Sequence, residues 1–192
     1  MRVLVVDESE ERAAVLREGL VMAGHEVIAS LSSPLELLHA VENLRPDVIV
    51  IDTESPTRDV LEHVVIVSQS SPRPIVMFAT DRGGETIRDA VRAGVSAYVV
   101  DGLDGTRVNT IVAVACARFE EFQRLKTELA QANLKLAERK LVDRAKGLLM
   151  RSRGMSEDDA YHALRKLAMS KKLRLGDVAQ QVLDAAELLG KS

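Results

Sequence analysis

Five short apolar runs punctuate the first hundred residues: RVLVV (2–6), EVIAS (26–30), DVIVID (47–52), PIVMFA (74–79) and SAYVV (96–100). Each has the length of a strand, and segments with apolar residues at helical intervals lie between them. Residues 10–23 place Ala14, Val15, Leu20 and Val21 on the expected inner face, with Gly24 as the stop. Ser33 and Pro34 open a helix through Leu37, Leu38, Val41 and Leu44 that ends at Pro46, and further helices are expected near 57–70 and 84–94. Strands joined by helices of this length pair in parallel through right-handed crossovers. The expected fold of residues 1–104 is therefore α/β, a five-stranded doubly wound sheet.

The pattern then changes. Residues 105–151 contain no Pro, and no Gly falls between Gly105 and Gly147. Phe122, Leu125, Leu129, Ala132 and Leu136 recur at intervals of 3, 4, 3 and 4 among Glu, Lys, Gln and Arg. This predicts a coiled-coil linker helix over 105–138 whose seam joins two copies of the chain; the other reading is an amphipathic helix lying on its own domain. Beyond it, Gly154 is a helix stop and SEDD (156–159) is a capping sequence. A second helix carries Ala160, Leu164, Leu167 and Ala168, and a third, DVAQQVLDAAELL (177–189), carries Val178, Val182, Leu183, Ala186 and Leu189 inward. The expectation for 139–192 is a small three-helix C-terminal domain, completed by Leu141, Ala145, Leu148 and Leu149 of the long helix.

The net charge of −3 conceals a separation. Residues 1–104 carry −9 with no lysine at all, residues 105–138 carry +1, residues 139–174 carry +7, and the tail carries −2. Such a division points to two modules with different partners, one of them a polyanion. The lone Cys116 sits in VAVACARF, the setting of a buried thiol on a helix, and no disulfide partner exists. MRVLVVDE lacks the form of a secretory signal and no apolar run approaches a membrane span, so a cytoplasmic protein without membrane attachment is expected. His25, His39, His63 and His162 pair with no nucleophile or metal motif, which argues against an enzyme.

Asp7 and Glu8 follow the first strand and Asp52 ends the third. The carboxyl ends of parallel strands form the ligand crevice of such a sheet, and acids converging there would take a hard cation such as Mg²⁺. VLVVDE, DVIVIDTESP, PIVMFA and SAYVVDG together resemble the response-regulator receiver domain. The resemblance makes Asp52 the position of the phosphoryl acceptor and Asp7 and Glu8 those of the metal-holding acids. Two positions depart from it: Ala79 stands where Ser or Thr is expected, with Thr80 one residue late, and Asp101 stands where Lys is expected. With no lysine before Lys126 to pair it, a phosphoryl group on Asp52 would be an uncompensated charge. The expectation is a pseudo-receiver that serves as a protein-binding platform; a structural Asp52 bonded to loop amides is a second reading.

DRAKGLLMRSRG (143–154) gathers cations around a glycine. Arg144 and Arg151 lie two helical turns apart on one face, and Lys146, Arg165 and Lys166 add charge. A solvated charged face would look the same, but +7 over so short a stretch favours a phosphate-binding surface. AKGLLM, RGMSEDDAY, LRKLAM and LGDVA, within residues 138–179, closely resemble the ANTAR domain. The resemblance, taken with the receiver and coiled coil, implies the AmiR/NasT group of transcription antiterminators, leaning to its nitrate-assimilation (NasT) branch. It implies binding of paired stem-loops in nascent leader mRNA, contacts at Arg144, Lys146, Arg151, Arg165 and Lys166, a homodimer, and control by a nitrate-sensing partner protein. Tyr161 is the stacking candidate for an unpaired base. Gly147 serves either helix packing or close approach of RNA. The competing class is a phosphorylation-controlled DNA-binding response regulator, since three C-terminal helices can also build a helix-turn-helix reader.

Overall fold

The structure, a computed structural model, describes residues 1–100 and 105–189, without the side chains of Gly105, Thr106 and Leu189. Asp101, the residue at the expected lysine position, lies outside the described residues. Two compact units are present, Met1–Gln123 and Arg124–Ser192.

In the first unit β1 (Arg2–Asp7), β2 (Glu26–Leu31), β3 (Val48–Thr53), β4 (Ile75–Ala79) and β5 (Ala97–Val100) form one sheet in the order β2-β1-β3-β4-β5. Every pairing is parallel. Strand residues alternate between two cores. Leu4, Val6, Ile49, Ile51, Ile75 and Met77 face α2 (Leu37–Leu44), α3 (Arg58–Ser70) and α4 (Gly84–Ala93). Val3, Val5, Val48, Val50, Val76 and Phe78 face α1 (Glu10–Met22) and the start of α5 (Gly105–Arg153). With both faces covered, the strands read as continuous apolar runs, as they do in the sequence.

Local chemistry sets the helix ends. Ser9 and Thr57 accept hydrogen bonds from the amides of Arg12 and Val60, capping α1 and α3. The turn Pro34–Glu36 is 3-10 before α2 becomes α-helical, and Arg45 ends α2 in the left-handed region, with φ 48°. Gly94 closes α4 at φ 115°, where a Cβ would collide with Ser68 Oγ, so no other residue fits without rearrangement.

One expectation fails on α1. Ala13, Leu16 and Leu20 are buried, whereas Val15 and Val21 are 62% and 58% exposed and Ala14 is exposed. Apolar residues occur almost all round this helix, so spacing does not single out a face; the sheet selects Ala13, Leu16 and Leu20. Cys116 is buried beside Val112 in the second core, and burial pushes its thiol pKa up. His25 is also buried, without a partner for either ring nitrogen, and burial pushes its pKa down, favouring the neutral ring.

The second unit holds the remainder of α5 with α6 (Glu157–Lys171) and α7 (Leu175–Leu189). Gly154, at φ 64°, ends α5, and Ser156 Oγ caps α6 by accepting from the Asp159 amide at 3.1 Å. Val142, Ala145, Leu164, Ala168, Val178, Ala179 and Leu183 form its core. Alanines at so many buried positions let the helices approach closely. Among the described residues no helix is long and apolar enough to cross a membrane.

Candidate functional site

The β1–β3 register places Asp7 opposite Asp52. The chain passes from β1 outward to β2 and then back to β3 on its other side, so these carboxylates sit at the topological switch point of the sheet. The Asp7 side chain is fully buried, and its Oδ1 accepts from the Ser9 amide at 2.8 Å and from Arg12 Nη2 at 3.1 Å. Arg12 Nη1 reaches Glu54 Oε1 at 3.4 Å. Burial, and then the nearby charge of Asp7, pushes the Asp52 pKa up, with Arg12 acting in the opposite direction. Burial lowers the Arg12 pKa, but its hydrogen bond to Asp7 and the fields of Asp7, Asp52 and Glu54 together outweigh this and raise it.

The loops around this pocket are tied together. The Glu54 carbonyl oxygen accepts from the Thr80 amide and the Asp81 amide, both at 3.1 Å, and from Thr80 Oγ1 at 2.7 Å. Asp81 accepts from the Gly83 amide at 2.7 Å, Ser55 Oγ at 2.8 Å and Thr86 Oγ1 at 3.1 Å, which together pull its pKa down. Tyr98 Oη donates to the Asp81 carbonyl at 2.9 Å. Thus Thr80, one residue late, secures the β3–α3 loop, and the buried Ala79 offers no hydroxyl.

These residues do not fit the Mg²⁺ ion that a receiver resemblance implies at Asp7, Glu8 and Asp52. Glu8 is exposed, Asp7 Oδ1 and the Glu54 carbonyl already have donors, and a cationic side chain is present. Among the described residues no group of three or more His, Cys, Asp or Glu is placed to hold a metal ion.

In the second unit the expected RNA-contact residues separate into distinct surroundings. Arg144, Arg151, Arg165 and Lys166 are exposed, and none of them forms an ion pair among the described residues. Lys146 differs: its side chain is mostly covered and its ammonium pairs with Asp143 Oδ1 at 2.9 Å and Glu157 Oε1 at 2.7 Å, clamping α5 to α6 and raising its own pKa. Lys146 and Tyr161 line one cleft with Lys135 and Arg139. Lys166 instead borders a groove of about 880 Å³ with Arg153, Ser152 and Ser170 over a floor that includes Leu148, Leu149, Leu167 and Val182. Tyr161 is 39% exposed, its ring edge-on to His162.

Two residues that sequence reasoning passed over shape this unit. Glu138 Oε1 accepts from the Gly176 amide at 3.2 Å, placing an anion at the start of α7, and a Cβ at Gly176 would meet Glu138 Cγ at 2.8 Å. Val142 is buried in the core. Neither had a local signal, because partner and residue lie far apart in sequence. Gly147 is different: an added Cβ would meet only Arg151 Nη1, at 3.4 Å, so helix packing does not require the glycine. Gly147→Ala should raise the melting free energy of the unit by about 1 kcal/mol through helix propensity. Thermal unfolding by circular dichroism checks this; destabilisation would reveal a packing constraint.

The stripe Phe122, Leu125, Leu129, Ala132 and Leu136 is exposed, its four large residues between 50% and 63%. Leu134, off the stripe, is 70% exposed.

A five-stranded parallel sheet with a carboxylate pair at its switch point defines the first unit as a response-regulator receiver. The receiver-domain family model matches residues 3–113, and the ANTAR-domain model matches residues 130–183. "Transcriptional regulatory protein PdtaR" of Mycobacterium tuberculosis is 30% identical over 183 residues, covering 95% of this chain and 89% of that one. "Nitrate regulatory protein" of Klebsiella oxytoca is 43% identical over 68 residues, covering 35% of this chain and 17% of that one. The signal receiver domain of a modulated diguanylate cyclase from Desulfovibrio desulfuricans G20 superposes with a TM-score of 0.55 at 22% identity, over 62% of this chain and 95% of that chain. The receiver domain of NarL from M. tuberculosis gives 0.55 at 18%, over 60% and 95%. The two structural likenesses concern fold alone. The chain belongs to the ANTAR-domain response regulators, a regulatory rather than a catalytic family.

Proposed function

We propose that the protein is an RNA-binding transcription antiterminator, organised as a pseudo-receiver (1–104), a coiled-coil linker (105–138) and an RNA-binding ANTAR domain (139–192). It binds paired stem-loops in a nascent leader mRNA. Holding one hairpin fold disfavours an overlapping terminator hairpin while polymerase passes, so no chemical step is required. The carrying observation is the set of exposed cations that form no ion pair among the described residues, Arg144, Arg151, Arg165 and Lys166, on a helical unit that the ANTAR-domain model matches. Lys146 supports the surface by holding α5 to α6, and Tyr161 offers a face for an unpaired base.

The decisive measurement is equilibrium binding to a tandem hairpin RNA and to duplex DNA of the same sequence over a salt series. Preference for RNA with a steep salt dependence is expected, since each neutralised phosphate contributes a log–log slope of about −0.7 to −0.9. Preference for duplex DNA would replace this reading with a DNA-binding response regulator.

Regulation then falls to a partner protein that holds the receiver-like unit and releases it. Likeness to a nitrate regulatory protein over 35% of this chain supports a sensor for nitrate. Asp52→Asn is expected to leave hairpin affinity and partner release within about twofold of wild type, because the pocket lacks the hydroxyl at position 79 that would hydrogen-bond a phosphoryl group on Asp52. A regulated response lost in that variant, measured by in vitro antitermination with and without the sensor, would reinstate phosphorylation as the switch.

A further inference from the structure

We propose that Arg12 is the resident cation of the Asp7–Asp52 pocket, standing in for a divalent metal and making this receiver-like unit metal-independent. Asp7 and Asp52 are register partners on adjacent strands, and the Asp7 side chain is fully buried. Two carboxylates facing one another across adjacent strands repel, and a nearby positive charge offsets that repulsion. The cation present is a side chain of the chain itself: Arg12, presented from the first turn of α1 by the Ser9 cap, at 3.1 Å from Asp7 Oδ1 and 3.4 Å from Glu54 Oε1.

The surroundings favour a guanidinium over a metal. A hard cation demands several oxygen ligands at once, with short and regular spacing. The Glu54 carbonyl is engaged by three donors from Thr80 and Asp81, and Asp7 Oδ1 by two. Among the described residues Asp7 Oδ2 is buried without a hydrogen-bond partner, as is Arg12 Nε, so the two groups meet through one bond and their mutual field. Asp7 Oδ2 and the Asp52 carboxylate are the oxygens left over, and no third carboxylate among the described residues joins them in a group placed for a metal, whereas a delocalised, weakly hydrated guanidinium tolerates so sparse a set. Arg12 also joins the end of β1 to the β3–α3 loop through Glu54, holding in one state a region that a metal would otherwise organise.

The test counts bound Mn²⁺ on the full chain by paramagnetic resonance of the free ion. Wild type is expected to show no saturable site at millimolar Mn²⁺. Arg12→Gln, which removes the charge and keeps a polar side chain, should gain one site per chain, at least about tenfold tighter than any wild-type binding, because a repelling unit charge a few ångströms away is gone. Arg12→Gln combined with Asp52→Asn should lose that site again. A saturable wild-type site of similar affinity overturns the proposal, and so does Arg12→Gln binding no Mn²⁺. Should Arg12→Gln unfold alone, refolding on addition of Mn²⁺, followed by circular dichroism, supports the proposal, and failure to refold overturns it. Hairpin affinity plays no part in these readouts, so the outcome is independent of the RNA reading.

Discussion

Arg144→Glu with Arg151→Glu is expected to lower affinity for the tandem hairpin RNA at least about a hundredfold. Each arginine that meets a phosphate contributes a charge-assisted hydrogen bond of about 1.5–3 kcal/mol, and a factor of ten needs about 1.4 kcal/mol. Reversing the charge adds repulsion to what is lost. The log–log salt slope should shrink by about 1.4–1.8 in magnitude, the share of two phosphates. The fold should survive, because both side chains are exposed and neither forms an ion pair among the described residues. A melting curve matching wild type, together with weakened binding, is therefore the expected pair of results. Lys146→Ala gives the contrast: its ammonium is shared by Asp143 and Glu157, so its removal should loosen the α5–α6 junction more than it flattens the salt dependence. Hairpin affinity unchanged by the double reversal would remove this face of α5 from the RNA surface.

What the sequence revealed and what it hid divide along the range of the interactions involved. The strands β1, β3 and β4 were legible because burial on both faces writes them as apolar runs, and the edge strands β2 and β5 because short apolar stretches recur between helical segments. Gly154 and Ser156 were legible because helix stops and caps act within a few residues. The inner faces of α6 and α7 followed from spacing alone, with Ala160, Leu164 and Val178 buried as expected. On α1 spacing failed, since Val15 and Val21 are as apolar as the buried Leu16 and Leu20, and only the neighbouring sheet decides between them. In the acid pocket the positions of Asp7 and Asp52 at strand ends were readable, but their partner was not. Arg12 looks like an ordinary surface residue of an amphipathic helix until folding brings Glu54, 42 positions away, and Asp7 around it. The clamp of Lys146 on Glu157 and the bond from the Gly176 amide to Glu138 were hidden for the same reason, as both cross between helices. The cations read as one surface in sequence; in three dimensions Lys146 and Tyr161 line one cleft while Lys166 borders another.

Leu125→Glu with Leu129→Glu is expected to convert a dimer to a monomer and to abolish preference for two hairpins over one. Phe122, Leu125, Leu129 and Leu136 stand at least half exposed at 3–4 spacing, a stripe whose burial against an identical helix would be favourable at about 25 cal/mol per Å² of apolar surface. In a parallel pair each seam residue meets its own counterpart, so the two substitutions set four carboxylates against one another where leucines packed. Glu is a good helix former, so α5 itself should persist. On the proposed function, a dimer would present two ANTAR units to two adjacent stem-loops, and the second contact would then form at high effective concentration, an advantage of about 10²–10⁴ in avidity. The variant should accordingly sediment as a monomer, bind a single hairpin as wild type does, and bind the tandem RNA no better than the single one. A wild-type chain that sediments as a monomer at micromolar concentration, or a variant that retains the tandem advantage, would return the stripe to the alternative of a helix face packed on its own chain.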